Sequence, residues 1–338
     1  MYKHGGDIYT NKNVIDFSAN LNPLGMPSFV AEAAKNAINI SDVYPDMFQR
    51  ELIEEIAKRE DVNKKNIICT NGAAELIFGI CFALRPQKAV LVCPSFEEYR
   101  QALEASGVSK IQNYFLKEEK GFVLEENFLS ELKYDTDIVF LCNPNNPTGR
   151  LIDETLLSKI IEECKKKNIL LVIDECFLDF LEENLSQKSE VFVIKAFTKM
   201  YSMAGIRLGY GIYKDEKFLN KIRSVIQPWN VSVVAQKSGV EAAKDTKFLE
   251  ETKKFIKKEK DFLLKEIEPY IEKIYGHEAN YIFFKGEKSL DHKLLLKGIM
   301  IRDCSSFKGL EKGYFRIAVK DREDNLSLIK ALQEVKNG

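Results

Sequence analysis

Histidine is scarce, with three in 338 residues, and no two cysteines form a C-x-x-C pair. A zinc site is therefore not expected. The seven cysteines, at 69, 81, 93, 142, 164, 176 and 304, read as free thiols in a reducing cytosol. Those at 69, 81, 93, 142 and 176 lie in apolar surroundings. An excess of one charge is also lacking. The 50 basic and 51 acidic residues leave a formal net charge of −1, so nothing argues for a nucleic-acid or membrane surface. The lysine-rich "KKFIKKEKDFLLKEIE" is balanced by acids and reads as a solvated helix face. No apolar run approaches a membrane span. The first residues, "MYKHGGDIYTNKN", lack the apolar region of a signal peptide, so a cytoplasmic protein is expected. There is no internal repeat and no low-complexity segment.

What remains is ordinary globular composition, 45% hydrophobic and 30% charged. The length suits one large domain and a smaller one. Apolar runs alternate with helical patterns from about residue 50 to 213: "NIICT", "AVLVC", "DIVFLC", "ILLVIDE", "VFVIKAF" and "IRLGYGIY". Runs rich in Val, Ile and Leu without polar alternation belong to strands buried on both faces, as in a parallel sheet covered by helices. A doubly wound α/β domain follows. Beyond Pro228 a long helical stretch covers about 231–267, and short strands and helices then point to a smaller α+β domain. We divide the chain into an N-terminal arm (1–30) joining the small domain, a large domain (31–230) and a C-terminal small domain (231–338).

Open α/β sheets bind ligands beyond the carboxyl ends of their strands. Those ends here carry "TNGAAE", "CPSFEEY", "CNPNNPTG", "DECF" and "TK". In "TNGAAE", Gly72 and small residues open a helix, whose first amides form a phosphate seat. Alone, a plain helix start explains it as well. Asn146 precedes Pro147-Thr148-Gly149 and offers a fixed amide after a strand. Asp174 ends an apolar strand, where a carboxylate must be paired or hydrogen-bonded. Lys199 closes the next strand, and a buried lysine is a usable amine nucleophile. Eight positions on, Arg207 supplies a permanent cation with a fork suited to phosphate. Each group alone has a bland explanation. Together they offer a phosphate seat, an arginine for that phosphate, an amine for an aldehyde, a carboxylate for a ring nitrogen and an amide for a ring hydroxyl. Pyridoxal 5'-phosphate (PLP) asks for these partners.

The order Asn-Pro-Thr-Gly, Asp, Thr-Lys and Gly-x-Arg resembles the fold-type I PLP-dependent enzymes of the aspartate aminotransferase superfamily, over almost the whole chain. The resemblance implies a mostly parallel seven-stranded sheet in the large domain. It implies that Lys199 binds the cofactor aldehyde, that Asp174 holds the pyridine nitrogen and that Asn146 holds the ring O3'. Phe96 would stack on the ring, and Ala73, Ala74, Thr198 and Arg207 would cup the cofactor phosphate. Tyr44, in "YPD", matches a tyrosine that reaches the phosphate of a neighbouring subunit, which implies a homodimer. Arg316, in "YFRIAV", matches the arginine that grips the substrate α-carboxylate. One residue departs from the pattern: Ala196 stands where the family has Ser or Thr, three before the lysine. One phosphate hydrogen bond is lost there, and the adjacent Lys195 is a candidate replacement.

Within the superfamily, "HGGDIY", "DFSANLNPLG", "PSFEEY", "DECFLDF", "PWNVS" and "IRDCSSFKGL" are most similar to the threonine-phosphate decarboxylases of cobalamin biosynthesis. Phe177 stands where aminotransferases carry a tyrosine. The reaction implied is decarboxylation of L-threonine O-3-phosphate to (R)-1-amino-2-propanol O-2-phosphate, with L-serine O-phosphate as an alternative substrate. Histidinol-phosphate aminotransferases share Asn-Pro-Thr-Gly and "YPD" and are the rival reading. A catalytically dead binding relative is a third; transcription factors of that type add a DNA-binding winged helix, and no segment remains for one. The substrate's distal phosphate requires cations, and Arg302 and His4 are the candidates beside Arg316. Asn20, in "SANLNP", is placed to reach the substrate carboxylate.

Overall fold

The computed structural model describes residues 4–181 and 191–337. The chain begins with β1 (Ile15–Asp16), α1 (Ser28–Ile38), α2 (Arg50–Glu60), β2 (Ile67–Thr70), α3 (Gly72–Leu84), β3 (Lys88–Cys93), α4 (Glu98–Ala105) and β4 (Lys110–Phe115). It continues with β5 (Ile138–Cys142), α5 (Glu154–Lys166), β6 (Leu170–Asp174), β7 (Phe192–Ala196), α6 (Phe197–Met200), β8 (Gly209–Ile212) and α7 (Glu216–Val225). The last third holds α8 (Val233–Lys244), α9 (Lys247–Ile267), β9 (Lys273–Gly276), β10 (Tyr281–Lys285), α10 (Leu290–Leu295), β11 (Ile299–Met300), β12 (Arg302–Asp303), β13 (Tyr314–Ala318) and α11 (Arg322–Asn337).

Seven strands form the large sheet in the order β2-β8-β7-β6-β5-β3-β4. All neighbours are parallel except β8, which is antiparallel to both β2 and β7. Alternate residues of the central strands enter different cores. Val139, Leu141, Ile173 and Val193 pack on one face, and Ile138, Phe140, Val172 and Ile194 on the other. This two-sided burial explains why these strands carry no polar alternation. At about 25 cal/mol per Å², each such side chain contributes roughly 1.5–3 kcal/mol of hydrophobic stabilisation.

The second sheet is antiparallel, ordered β12-β13-β10-β9, and has its own core around Ile282, Phe284, Phe315 and Leu328. The N-terminal segment pairs with this part of the chain, because β1 lies parallel to β11. Phe17, just after β1, is fully buried in the same core.

Three features differ from the sequence reading. The seventh strand, β4, is not among the apolar runs, because an edge strand covered on one side keeps polar residues, here Lys110, Gln112 and Asn113. The helical stretch 231–267 is two helices, α8 and α9. Asp245 breaks it by accepting the amides of Phe248 and Leu249 with its carboxylate, as a helix cap does. Finally, β7 ends at Ala196, so Lys199 lies on the short helical turn α6 rather than on the strand. Among the described residues, no helix is long and apolar enough to cross a membrane.

Candidate active site

The carboxyl ends of the parallel strands open into a cavity of about 270 Å³. Ala73, Ala74, Phe96, Asn146, Asp174, Thr198, Lys199 and Arg207 line it from the large sheet. Arg302 and Arg316 line it from the small sheet, and His4 and Asn20 from the N-terminal segment. Every candidate residue except Tyr44 therefore meets at one place.

One end of the cavity is built for an anion. α3 begins at Gly72, so the amides of Ala73 and Ala74 belong to a first turn that has no intrahelical acceptor. Backbone packs so closely at Gly209 that a side chain would not fit there. A Cβ on Gly209 would lie 2.5 Å from the Ala73 nitrogen, and one on Gly72 would lie 2.6 Å from an Arg207 Nη. Gly72 also has φ +80°, a left-handed conformation that glycine adopts without strain. The Arg207 guanidinium thus lies against the helix start, held by donation to the Ala204 carbonyl at 3.0 Å. Thr198 closes this end from α6.

Asp174 stands at the centre, buried at the end of β6. The Tyr99 hydroxyl donates to its Oδ2 at 2.7 Å, and the Cys176 amide donates to Oδ1 at 2.9 Å. Burial and the neighbouring carboxylate hold the Tyr99 phenol far above its usual titration, so it remains a neutral donor. Phe96 lies edge-on to Tyr99 with centroids 5.6 Å apart. Lys199 is partly buried, and its Nζ is 5.9 Å from the Phe177 ring centroid. Burial first, and the Arg316 guanidinium second, lower the affinity of this amine for its proton. An amine that holds its proton less tightly is the better nucleophile.

The opposite wall is cationic. Arg316, on β13, is buried; it donates to Asn146 Oδ1 and, at 2.9 Å, to the Ser18 carbonyl. Its Nε has no hydrogen-bond partner, and neither has the side-chain amide of Asn20, which is 2% exposed. Buried polar atoms without partners point to a ligand that completes them. Arg302, on β12, is also buried; it donates to Ser306 Oγ at 3.0 Å and stacks 5.2 Å from the Phe307 centroid. His4 lies at the mouth, its Nδ1 3.4 Å from Glu98 Oε1.

Two expectations need correction or placement. Lys195 does not replace the missing hydroxyl at Ala196. Successive strand residues point to opposite faces, and its ammonium lies 3.2 Å from Glu60 and 3.1 Å from Asp179 in a buried ionic cluster. Tyr44 does not line this chain's own cavity; it is 79% exposed and stacks on Trp229 with centroids 4.7 Å apart. Tyr99, Glu98 and the Ser18 carbonyl went unrecognised as site groups. Tyr99 and Glu98 stand inside the quoted "PSFEEY", and their roles depend on how α4 turns them inward.

A family model described as aminotransferase class I and II matches residues 12–332. The chain belongs to this family. It is 34% identical to a threonine-phosphate decarboxylase of Salmonella typhimurium, over 99% of this chain and 97% of that protein. It is 31% identical to a histidinol-phosphate aminotransferase of Methanococcoides burtonii, over 96% of this chain and 90% of that protein. A solved histidinol-phosphate aminotransferase from Clostridium acetobutylicum superposes with a TM-score of 0.89 at 31% identity, covering 95% of this chain and 98% of that one. Like its family, the protein is a PLP-dependent enzyme. The close-packed anion seat at Gly72 and Gly209, the desolvated amine and the oriented carboxylate fit that cofactor.

Proposed function

We propose that the enzyme decarboxylates an amino acid O-phosphate, L-threonine O-3-phosphate in the first instance, to give (R)-1-amino-2-propanol O-2-phosphate for the nucleotide loop of a cobamide. The observation that carries this reading is the pair of buried arginines, Arg316 and Arg302, on one wall of the cavity, with His4 at its mouth. An amino acid phosphate presents two anions, a carboxylate and a phosphate, and the two arginines, cross-strand neighbours on β12 and β13, supply two guanidinium groups to complement them. The identity to a threonine-phosphate decarboxylase supports the same choice.

PLP, when bound, supplies an aldehyde for the substrate amine and an electron sink for the bond that breaks at Cα. Its phosphate would occupy the seat formed by Ala73, Ala74, Thr198 and Arg207, with Phe96 against the ring and Asn146 at the ring hydroxyl. Lys199 would hold the aldehyde between turnovers. Asp174, its carboxylate fixed by Tyr99 and the Cys176 amide, would keep a proton on the ring nitrogen. Arg316 and Asn20 would hold the substrate carboxylate, whose orientation decides whether CO₂ is lost. Lys199 would be the amine that delivers the proton replacing CO₂.

We further propose a homodimer. Tyr44 and its apolar neighbours Val43 and Phe48 are exposed beside Trp229, and burying them would carry Tyr44 to a second chain. A fully active monomer by light scattering at micromolar concentration would contradict this. A cytoplasmic location is supported by seven cysteines that are all free. The reaction is tested by incubating holoenzyme with L-threonine O-phosphate and measuring CO₂ and amino-alcohol phosphate.

A further inference from the structure

One ionisable group in the cavity has no part in the chemistry above. Glu98 opens α4 and faces the cavity. Its side chain is 14% exposed; Oε1 lies 3.4 Å from His4 Nδ1, and Oε2 is buried with no hydrogen-bond partner. Titratable groups face it from each surrounding element: His4 from the N-terminal segment, whose imidazole burial and Arg302 hold below its usual range, Lys199 from α6 and Arg302 from β12. Glu97 precedes α4; its carboxylate accepts the Lys308 amide at 2.7 Å and lies 3.7 Å from Arg100 Nε, and its charge also pushes the Glu98 carboxyl up.

A carboxylate beside Arg302 and His4 stands where the substrate phosphate is proposed to bind. Two anions in a desolvated cleft repel strongly unless a proton lies between them. Burial, ahead of every other influence, pushes the Glu98 carboxyl up to about 7, with its own amide and Lys199 opposing. The second ionisation of a phosphate monoester lies at about 6. Both groups therefore exchange a proton close to neutrality.

We propose that Glu98 is a specificity residue that binds the substrate phosphate through a shared proton, its carboxyl donating to a phosphate oxygen. The site then accepts a phosphate group together with one proton. When the phosphate arrives as a dianion, the Glu98 carboxylate takes that proton from solvent and returns it as the phosphate leaves; no covalent bond changes. His4 is released from Glu98 Oε1 in the same event and becomes available to the phosphate. The inference rests on the amino acid phosphate reading and adds to it a requirement for protonation.

The test uses isopropyl phosphate, a phosphate monoester without amine or carboxylate. It is titrated calorimetrically into holoenzyme at about pH 8, in two buffers of different ionisation enthalpy, to count protons. Wild type should take up close to one proton per phosphate bound. Glu98→Gln keeps a donor but cannot titrate, so it should bind with no uptake. Glu98→Ala should bind more weakly than Glu98→Gln, which separates a donor from mere filling of space. In turnover, the wild-type KM for L-threonine O-phosphate should rise by up to about tenfold per pH unit above about pH 7, while that of Glu98→Gln stays flat. Wild-type binding without proton uptake, or Glu98→Gln matching the wild-type uptake, would overturn the role of Glu98 and leave the phosphate site intact. Failure of wild type to bind isopropyl phosphate, together with equal turnover of threonine and its phosphate, would remove the phosphate site and the proposal with it.

Discussion

Arg302→Ala removes one of the two buried arginines on the cavity wall. Its guanidinium is fixed by donation to Ser306 Oγ at 3.0 Å and by stacking 5.2 Å from Phe307, so little rearrangement precedes its use. A charge-assisted hydrogen bond is worth about 1.5–3 kcal/mol. At about 1.4 kcal/mol per factor of ten, KM for L-threonine O-phosphate should rise by roughly 10- to 100-fold. The kcat should fall much less, because Lys199 and Asp174 are untouched. Unphosphorylated threonine serves as the internal control. Its kcat/KM should stay within about twofold, so the preference for the phosphorylated substrate collapses by the same factor that KM rises. Arg302→Lys keeps the charge but loses the planar fork and should fall between the two. The lost stacking on Phe307 costs roughly 0.5–1 kcal/mol of stability, too little to unfold the domain. The cofactor's visible absorbance should remain, since the proposed seat for its phosphate lies at α3. An unchanged KM in a folded Arg302→Ala protein would refute the argument.

Lys199→Ala should lose the visible absorbance of bound PLP and essentially all turnover; normal activity would show that another amine is used. Asp174→Asn should retain cofactor but lose several orders of magnitude in kcat, because an amide cannot keep the ring nitrogen protonated; wild-type rates would end that argument. Glu98 gives a pH effect on stability. Its folded-state pKa is raised, so the folded state holds the proton more tightly, and the stabilisation present below about pH 4.5 is lost as pH rises to about 7. Denaturant titrations of Glu98→Gln should therefore lack up to about 3 kcal/mol of the decline that wild type shows across this window.

The central strands of the large sheet were legible because burial on both faces leaves short runs such as "DIVFLC" with no polar alternation. β4 was not, because an edge strand needs only one apolar side, and its sequence carries lysine, glutamine and asparagine. The break between α8 and α9 rests on one capping aspartate, Asp245, in a sequence whose helical texture continues on both sides. At the site, Lys199, Asp174 and Arg207 were readable from their order along the chain: Asp174 ends β6, Lys199 follows β7, and Arg207 stands just before β8, the antiparallel strand that begins at the cavity. Arg302 and His4 were placed by the demand for a second anion site, and both line the cavity. Glu98 was missed because a glutamate at a helix start normally faces water and complements the helix dipole. Only the three-dimensional arrangement turns it inward beside His4, Lys199 and Arg302. The same limit applies to Lys195, whose sequence position beside Ala196 conceals that its side chain joins Glu60 and Asp179 on the other face.

The most direct test of the central claim is the product of a single incubation. Purified holoenzyme is mixed with L-threonine O-phosphate, without any 2-oxo acid, and CO₂ and 1-amino-2-propanol O-2-phosphate are quantified. The account predicts that both appear in equal amounts and over many turnovers. Absence of CO₂, with conversion of histidinol phosphate only when 2-oxoglutarate is supplied, would contradict it and make the enzyme an aminotransferase.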